Sequence, residues 1–341
     1  MRERLQKNKA ARAALWILLF LILMAVFGPL MTPYGYRDQQ TNEAGEYLSN
    51  MPPRMPLFKK LGIARGYATL KDRRADGLID TEKYPAGCIV EVKNRRISAA
   101  GNEYCDVVVD YYVYKGVGED VNFWFGTDQM GRDLWTRLWR GTRVSLLIAF
   151  FAVAADLIIG TLYGAACGYF GGKTDLILMR FAEIVRSIPN VVICSLFIML
   201  FGTGIRTMIL ALAVRGWTGT AQLVRAQFLK NKTREYVLAS RMMGASDARL
   251  IFRHILPNSL TPLLTSAMMA VPSAIFTESF LAYIGLGIPA PEPSLGTLLS
   301  GAWPVLELYP TQTLFPALVI SVLLISFTLF TDSLRDSLDP G

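Results

Sequence analysis

The feature that most limits this chain is a run of nineteen consecutive uncharged residues, 13–31, and the recurrence of such runs along its length. Nineteen helical residues at about 1.5 Å each cover the roughly 30 Å hydrocarbon core of a bilayer. Inside that core every backbone N–H and C=O must be satisfied within the segment itself, which restricts such runs to helices. Further apolar segments occur at residues 144–167, 176–201, 207–224, 260–287 and 313–331. The pattern predicts an all-α polytopic membrane protein with six transmembrane helices. Composition agrees: 18% of residues are charged and 52% are hydrophobic, where a soluble protein carries about a quarter charged residues.

Charge sets the expected orientation. Arg2, Arg4, Lys7, Lys9 and Arg12 precede the first run. A cleaved signal peptide would also start this way, but the apolar stretch exceeds a signal core and no Ala-x-Ala site follows it. The expectation is a basic cytoplasmic segment at 1–12 and a retained first span at 13–32. Residues 225–258 contain seven Lys/Arg and residues 288–312 contain none. The positive-inside rule therefore places 225–258 in the cytoplasm, together with both termini and the tail at 333–341.

Residues 33–122 read as a soluble, extracytoplasmic insert. Thirteen Lys/Arg balance thirteen Asp/Glu there. Residues 89–93 and 107–114 are rich in β-branched and aromatic side chains and predict strands. If these pair as a hairpin turning near Arg96 and Ile97, Cys88 and Cys105 fall roughly opposite each other. Either a cross-strand disulfide or two free thiols fits that reading. Residues 123–143 carry Trp135, Arg137, Trp139 and Arg140 and predict an amphipathic helix at the membrane interface. Gly160, Gly164 and Gly168 then form a strip that permits close approach of another helix.

Several function classes drop out. His254 is the only histidine, no CxxC pair exists and Cys167 and Cys194 lie in apolar spans, so no metal site is expected. Residues 168–174, GYFGGKT, imitate a phosphate-binding loop, but Cys167 stands where the motif needs glycine and an apolar helix precedes it. A hydrolase would need His254 beside a nucleophile elbow that is absent. The net charge of +8 follows the span ends rather than forming a phosphate-tracking patch, so no nucleic-acid partner is expected.

The segment 234–258, REYVLASRMMGASDARLIFRHILPN, is polar and basic between two apolar spans. It predicts a short helix to Met243, a break at Gly244, and a second helix capped by Ser246 or Asp247 and ended by Pro257. This segment resembles the signature loop of bacterial ATP-binding-cassette importer permeases. Ala239 and Ser240 match the Ala-Ala of its Glu-Ala-Ala run, Gly244 its glycine, and Leu256 and Pro257 its Leu-Pro. Leu238 and His254 depart from it, standing where the family has an acidic residue and isoleucine. Gly126-Thr-Asp128, Gly131-Arg-Asp133 and the Gly141 to Leu146 stretch resemble the oligopeptide and dipeptide subfamily. Tyr283 to Gly287, Pro291 to Gly296 and the tail from Asp332 do so too. The chain looks like the second of that subfamily's two paired permeases.

What the resemblance implies is a type I importer core (144–332) on the bacterial cytoplasmic membrane, without catalysis of its own. Its partners would be a second, homologous permease, two ATPase subunits that bind ATP and Mg, an extracytoplasmic peptide-binding protein, the peptide and the lipid bilayer. The segment around Ala239, Ser240, Gly244, Ala245, Arg253, His254, Leu256 and Pro257 would couple to the ATPase. Charged residues within spans usually face a cavity or a partner. Arg215 and Glu278 could pair with each other or line the substrate pathway. Asp156 and Arg186 are further pathway candidates, although Glu183 and Arg186, one turn apart, could neutralise each other. The rival readings are a gradient-driven secondary transporter without ATPase subunits, a sensor built on the insert, or import of a non-peptide cargo such as nickel by the same machinery.

Overall fold

The computed structural model describes residues 9–56, 64–74, 84–97 and 103–338. Helix α1 spans Lys9–Phe27 and runs into a short 3-10 turn, Gly28–Leu30. The largest departure from expectation follows the insert. The interfacial segment and the second span are one helix, α2, of 37 residues, Leu134–Phe170. The Trp135 and Trp139 side chains do not face outward, as an interfacial anchor would require. Both are buried with Leu21, Leu138 and Leu323 in the largest core cluster. The Trp135 indole N–H donates to the Gly28 carbonyl at 2.8 Å, the partner a buried indole usually finds, whereas the buried Trp139 N–H has none among the described residues.

Helices α3 (Gly172–Ser187) and α4 (Asn190–Phe201) are separated by a bend of 83°. Pro189 causes it: the residue before a proline is pushed out of helical geometry, and Ile188 is extended at φ −74°, ψ 128°. Helix α5 spans Ile205–Asn231. Its close neighbour is α2, and the glycine strip explains the approach. A Cβ on Gly160 would lie 2.7 Å from the Trp217 carbonyl oxygen, and one on Gly164 would lie 2.3 Å from that of Ala221. Helix α6 is Glu235–Met242, α7 is Leu256–Leu281, α8 is Leu295–Ala302 and α9 is Pro310–Leu338.

Among the described residues, four helical stretches are long and apolar enough to cross a membrane: Lys9–Leu30, Leu134–Phe170, Asp247–Leu286 and Pro310–Ser337; the bent pair α3 and α4 would make a fifth. Helix α5 is not among them; it carries Arg206, Arg215, Arg225 and Lys230. The architecture is that of a helical integral membrane protein.

Between α1 and α2 lies a three-stranded antiparallel sheet in the order β1-β3-β2, with β1 Tyr67–Arg74, β2 Ile89–Ile97 and β3 Glu103–Asp110. The expected second strand stops at Asp110 because its carboxylate accepts from the Tyr112 amide at 3.1 Å and caps a one-turn helix, Tyr111–Tyr114. The register corrects the disulfide geometry. Cys105 is aligned with Asp72 on β1, and the Cys88 carbonyl accepts from the Asp110 amide. The two thiols are therefore five residues apart along β3 rather than opposed, and both are free and buried. Arg96 and Ile97, expected at the turn, are instead paired strand residues opposite Tyr104 and Glu103; residues 98–102, which connect the two strands, lie outside the described set. Burial raises the Tyr112 phenol above its ordinary range; its hydroxyl donates to the Pro52 carbonyl at 3.0 Å.

Candidate functional site

Three sites carry the chemistry, and the first two sit at opposite ends of α2. At the Leu134 end, the motif Gly126-Thr-Asp128 and Gly131-Arg-Asp133 ties the insert to the helices. Gly126 adopts φ +84°, and a Cβ there would meet the Met51 carbonyl oxygen at 2.2 Å. The Thr127 hydroxyl donates to the Leu48 carbonyl at 2.5 Å and accepts from the Met51 amide at 2.9 Å. Asp128 accepts from Arg132 at 2.8 Å and lies 3.4 Å from Arg137. Asp133 caps α2, accepting from the Thr136 amide at 2.8 Å, and burial pushes its carboxyl up to about 6. Arg137 donates to the Tyr36 and Pro291 carbonyls, and Arg140 pairs with Glu292 at 2.7 Å.

At the Phe170 end, α6 finishes in a Schellman motif. Gly244 has φ +83°; its amide donates to the Arg241 carbonyl at 3.0 Å, and the Ala245 amide donates to the Ser240 carbonyl at 3.1 Å. These two bonds satisfy the last helical carbonyls and require a left-handed residue between them. Only Val237 of α6 is buried. Met242 and Met243 are 89% and 88% exposed, and Leu238 and Phe252 are exposed as well.

Two expectations for this segment are corrected. Ser246 holds the N-cap position with no side-chain hydrogen bond, and Asp247 instead accepts from the Tyr169 hydroxyl. Pro257 does not end the helix. A wide π-helical turn, Leu250–Ile255, precedes it, and the helix continues to Leu281. A proline lacks the donor for the carbonyl four residues back and crowds it; a wider turn at this point relieves both. Leu256 lies half-buried beside Ile255, Pro257 and Arg253 are exposed, and the His254 carbonyl accepts from the Asn258 side chain at 2.7 Å.

The base of the segment is anchored to α2 and α3. Arg225 grips Asp175 through two bonds, one at 2.6 Å. Lys232 donates to the Gly168 carbonyl at 2.9 Å. Tyr169, also on α2, receives Arg241 from the other side at 3.3 Å. Tyr169 thus touches both halves of the segment, on either side of Gly244. Nothing in the sequence marks it, since an aromatic residue at a helix end has no characteristic spacing.

The third site is a cavity of about 410 Å³ bounded by α2, α3, the start of α4, α5 and α7. It brings together three of the four charged pathway candidates: Asp156, Arg186 and Arg215. Glu278 is elsewhere. It is fully buried, and one carboxylate oxygen accepts from Ser145 at 3.0 Å. The expected Arg215–Glu278 pair therefore does not form. Glu183 also pairs differently, with Arg180 at 2.8 Å, while Arg186 donates to Gln222.

The profile of the "Binding-protein-dependent transport system inner membrane component" family matches residues 160–341. That of the "N-terminal TM domain of oligopeptide transport permease C" matches residues 1–53. The dipeptide transport system permease protein DppC of Bacillus subtilis (strain 168) is 35% identical over 346 residues, covering 99% of this chain and 84% of that one. The oligopeptide transport system permease protein OppC of the same organism is 44% identical over 217 residues, covering 64% of this chain and 71% of that one. Among solved structures, an inward-facing MetNI methionine ABC transporter chain aligns at 19% identity and a TM-score of 0.50, covering 59% of this chain and 96% of that chain. That last likeness concerns the fold.

Proposed function

The chain belongs to the binding-protein-dependent transport system inner membrane components, and we propose that it is one permease subunit of an ATP-driven importer of oligopeptides or dipeptides. A relative named for dipeptide transport aligns along nearly the whole chain, which supports peptide as the cargo. In this reading the chain crosses the bacterial cytoplasmic membrane six times. The bent pair α3 and α4 forms one crossing, α5 another, and both termini lie in the cytoplasm. The sheet-bearing insert lies outside, on the side where a peptide-binding protein delivers cargo. A second, homologous permease completes the pathway, and two separate ATPase subunits bind ATP and Mg.

The observation that carries the coupling role is the combination of an exposed apolar crown and a buried root. Methionine side chains are flexible and polarizable and suit a contact that must hold through a change of shape. Leu238, Met242 and Met243 stand on a helix fastened through Tyr169, Lys232 and Arg225 to α2 and α3. Closure of the ATPase pair would push on α6, and the rigid contacts at its base would pass the displacement to the membrane helices. Such coupling requires that the segment make different contacts in two states.

Affinity purification of the tagged chain from its native membrane in mild detergent tests the reading. ATPase subunits are expected to copurify with the unmodified chain and to be lost with Gly244→Asp, which breaks the Schellman turn and adds charge at the contact. An unmodified chain that emerges alone, under conditions that preserve comparable complexes, would overturn the proposal in favour of a gradient-driven transporter.

A further inference from the structure

The cavity between α2, α3, α5 and α7 contains a carboxylate that the protein itself does not satisfy. Asp156 is half-buried on α2, and its Oδ1 has no hydrogen-bond partner among the described residues. Gly216 on α5 has no side chain, and the carboxylate occupies that space: a Cβ on Gly216 would lie 1.8 Å from Asp156 Oδ2. Arg215 adjoins Gly216 in the same wall. Its side chain makes no ion pair among the described residues. Two opposite charges beside one cavity, each without a partner, are costly in a membrane domain. Their mutual neutralisation would be the ordinary solution. Holding them apart leaves one acceptor and one donor fork facing the same space.

We infer that this cavity holds a zwitterion, the α-ammonium of a short peptide on Asp156 and its α-carboxylate on Arg215. The inference rests on the peptide-import reading and deepens it, by assigning to this subunit a resting place for the cargo inside the membrane domain. An ammonium donates to carboxylate oxygens, and a guanidinium offers a planar fork that fits a carboxylate. The cavity, about 410 Å³, falls in the roughly 300–1,000 Å³ range of small-molecule sites. Ser273 and Thr277 on α7 and Asn190 at the bend add uncharged polar groups to the wall, suited to a peptide bond. Arg186, held by Gln222, keeps the rim positive.

The test measures binding to the complete transporter in nanodiscs, without the binding protein, which could itself select for free termini. Labelled dialanine is dialysed to equilibrium and competed with unlabelled dialanine, N-acetyl-dialanine and dialanine amide. Saturable binding is expected, with each blocked peptide competing roughly tenfold less well, the loss expected for one charge-assisted contact. Asp156→Asn should remove the preference for a free amino end, and Arg215→Gln the preference for a free carboxyl end. Blocked peptides that compete as well as dialanine in the unmodified complex would overturn the inference without recourse to any variant. So would an Asp156→Asn complex that keeps the preference for a free amino end. A complex whose ATP hydrolysis responds to binding protein and peptide, yet binds no dialanine by itself, overturns the site and leaves the transport function standing. One that does not respond at all overturns both.

Discussion

The two ends of the long helix Leu134–Phe170 carry the two most family-like stretches of the sequence and use them in opposite ways. At the Leu134 end the motif residues are consumed internally. Thr127 and Asp133 are completely buried, and Thr127 joins Leu48 to Met51. At the Phe170 end the motif residues face outward, with only Val237 of the short helix buried. The first motif is a knot that gathers the insert, the helix and the 291–292 segment. The second is an exposed helix on a short stalk, the contact surface of the proposed reading. A recurring stretch of sequence can thus mark either a place where the chain meets itself or a place where it meets something else. Burial of its polar groups tells the two apart.

Substitutions at each end sharpen this contrast. The largest effect is expected for Gly126→Ala. The left-handed backbone and the Met51 carbonyl at 2.2 Å leave no space, so a loss of about 3 kcal/mol or more is expected, read as a lowered Tm and reduced folded yield in detergent. An unchanged Tm would show that the knot is not rigid. Thr127→Val keeps the shape but leaves the Met51 amide and the Leu48 carbonyl unpaired. A loss of about 1–3 kcal/mol is expected, again measured by thermal unfolding. The smallest stability effect, within about 0.5 kcal/mol, belongs to a Met242→Ser, Met243→Ser double variant. Its Tm should match the parent while recovery of ATPase subunits falls sharply. If instead the Tm fell and recovery held, the contrast between a knot and a contact surface would be reversed.

Much of the fold was legible in the sequence. The apolar runs mark the helices, Gly244 marks the break between α6 and the next helix, and the glycine strip marks the close approach of two helices. Each of these rests on chemistry confined to a few adjacent residues. The errors share a cause as well. Trp135 and Trp139 read as interfacial because their amphipathic rings suit a membrane surface; whether they are buried depends on Leu21 and Leu323, far away in the chain. Pro257 read as a helix end because the widened turn that tolerates it is a property of the packed helix. Among the charged candidates, the sequence supplied Asp156, Arg186, Arg215 and Glu278 as a set without showing which of them meet.

The sequence by itself therefore determined that this is a helical membrane protein, where its apolar runs lie and which stretches are family-like. Hydropathy, turn chemistry and helix breaking act over a few residues and are written locally. Only the tertiary structure decided that the helix from Leu134 to Phe170 is continuous, that Tyr169 joins both halves of the 234–258 segment, and that Asp156 and Arg215 share a cavity while Glu278 is sealed beside Ser145. Those outcomes depend on which faces pack together, and that is set by the combined shapes of helices distant in the chain rather than by any one stretch of it.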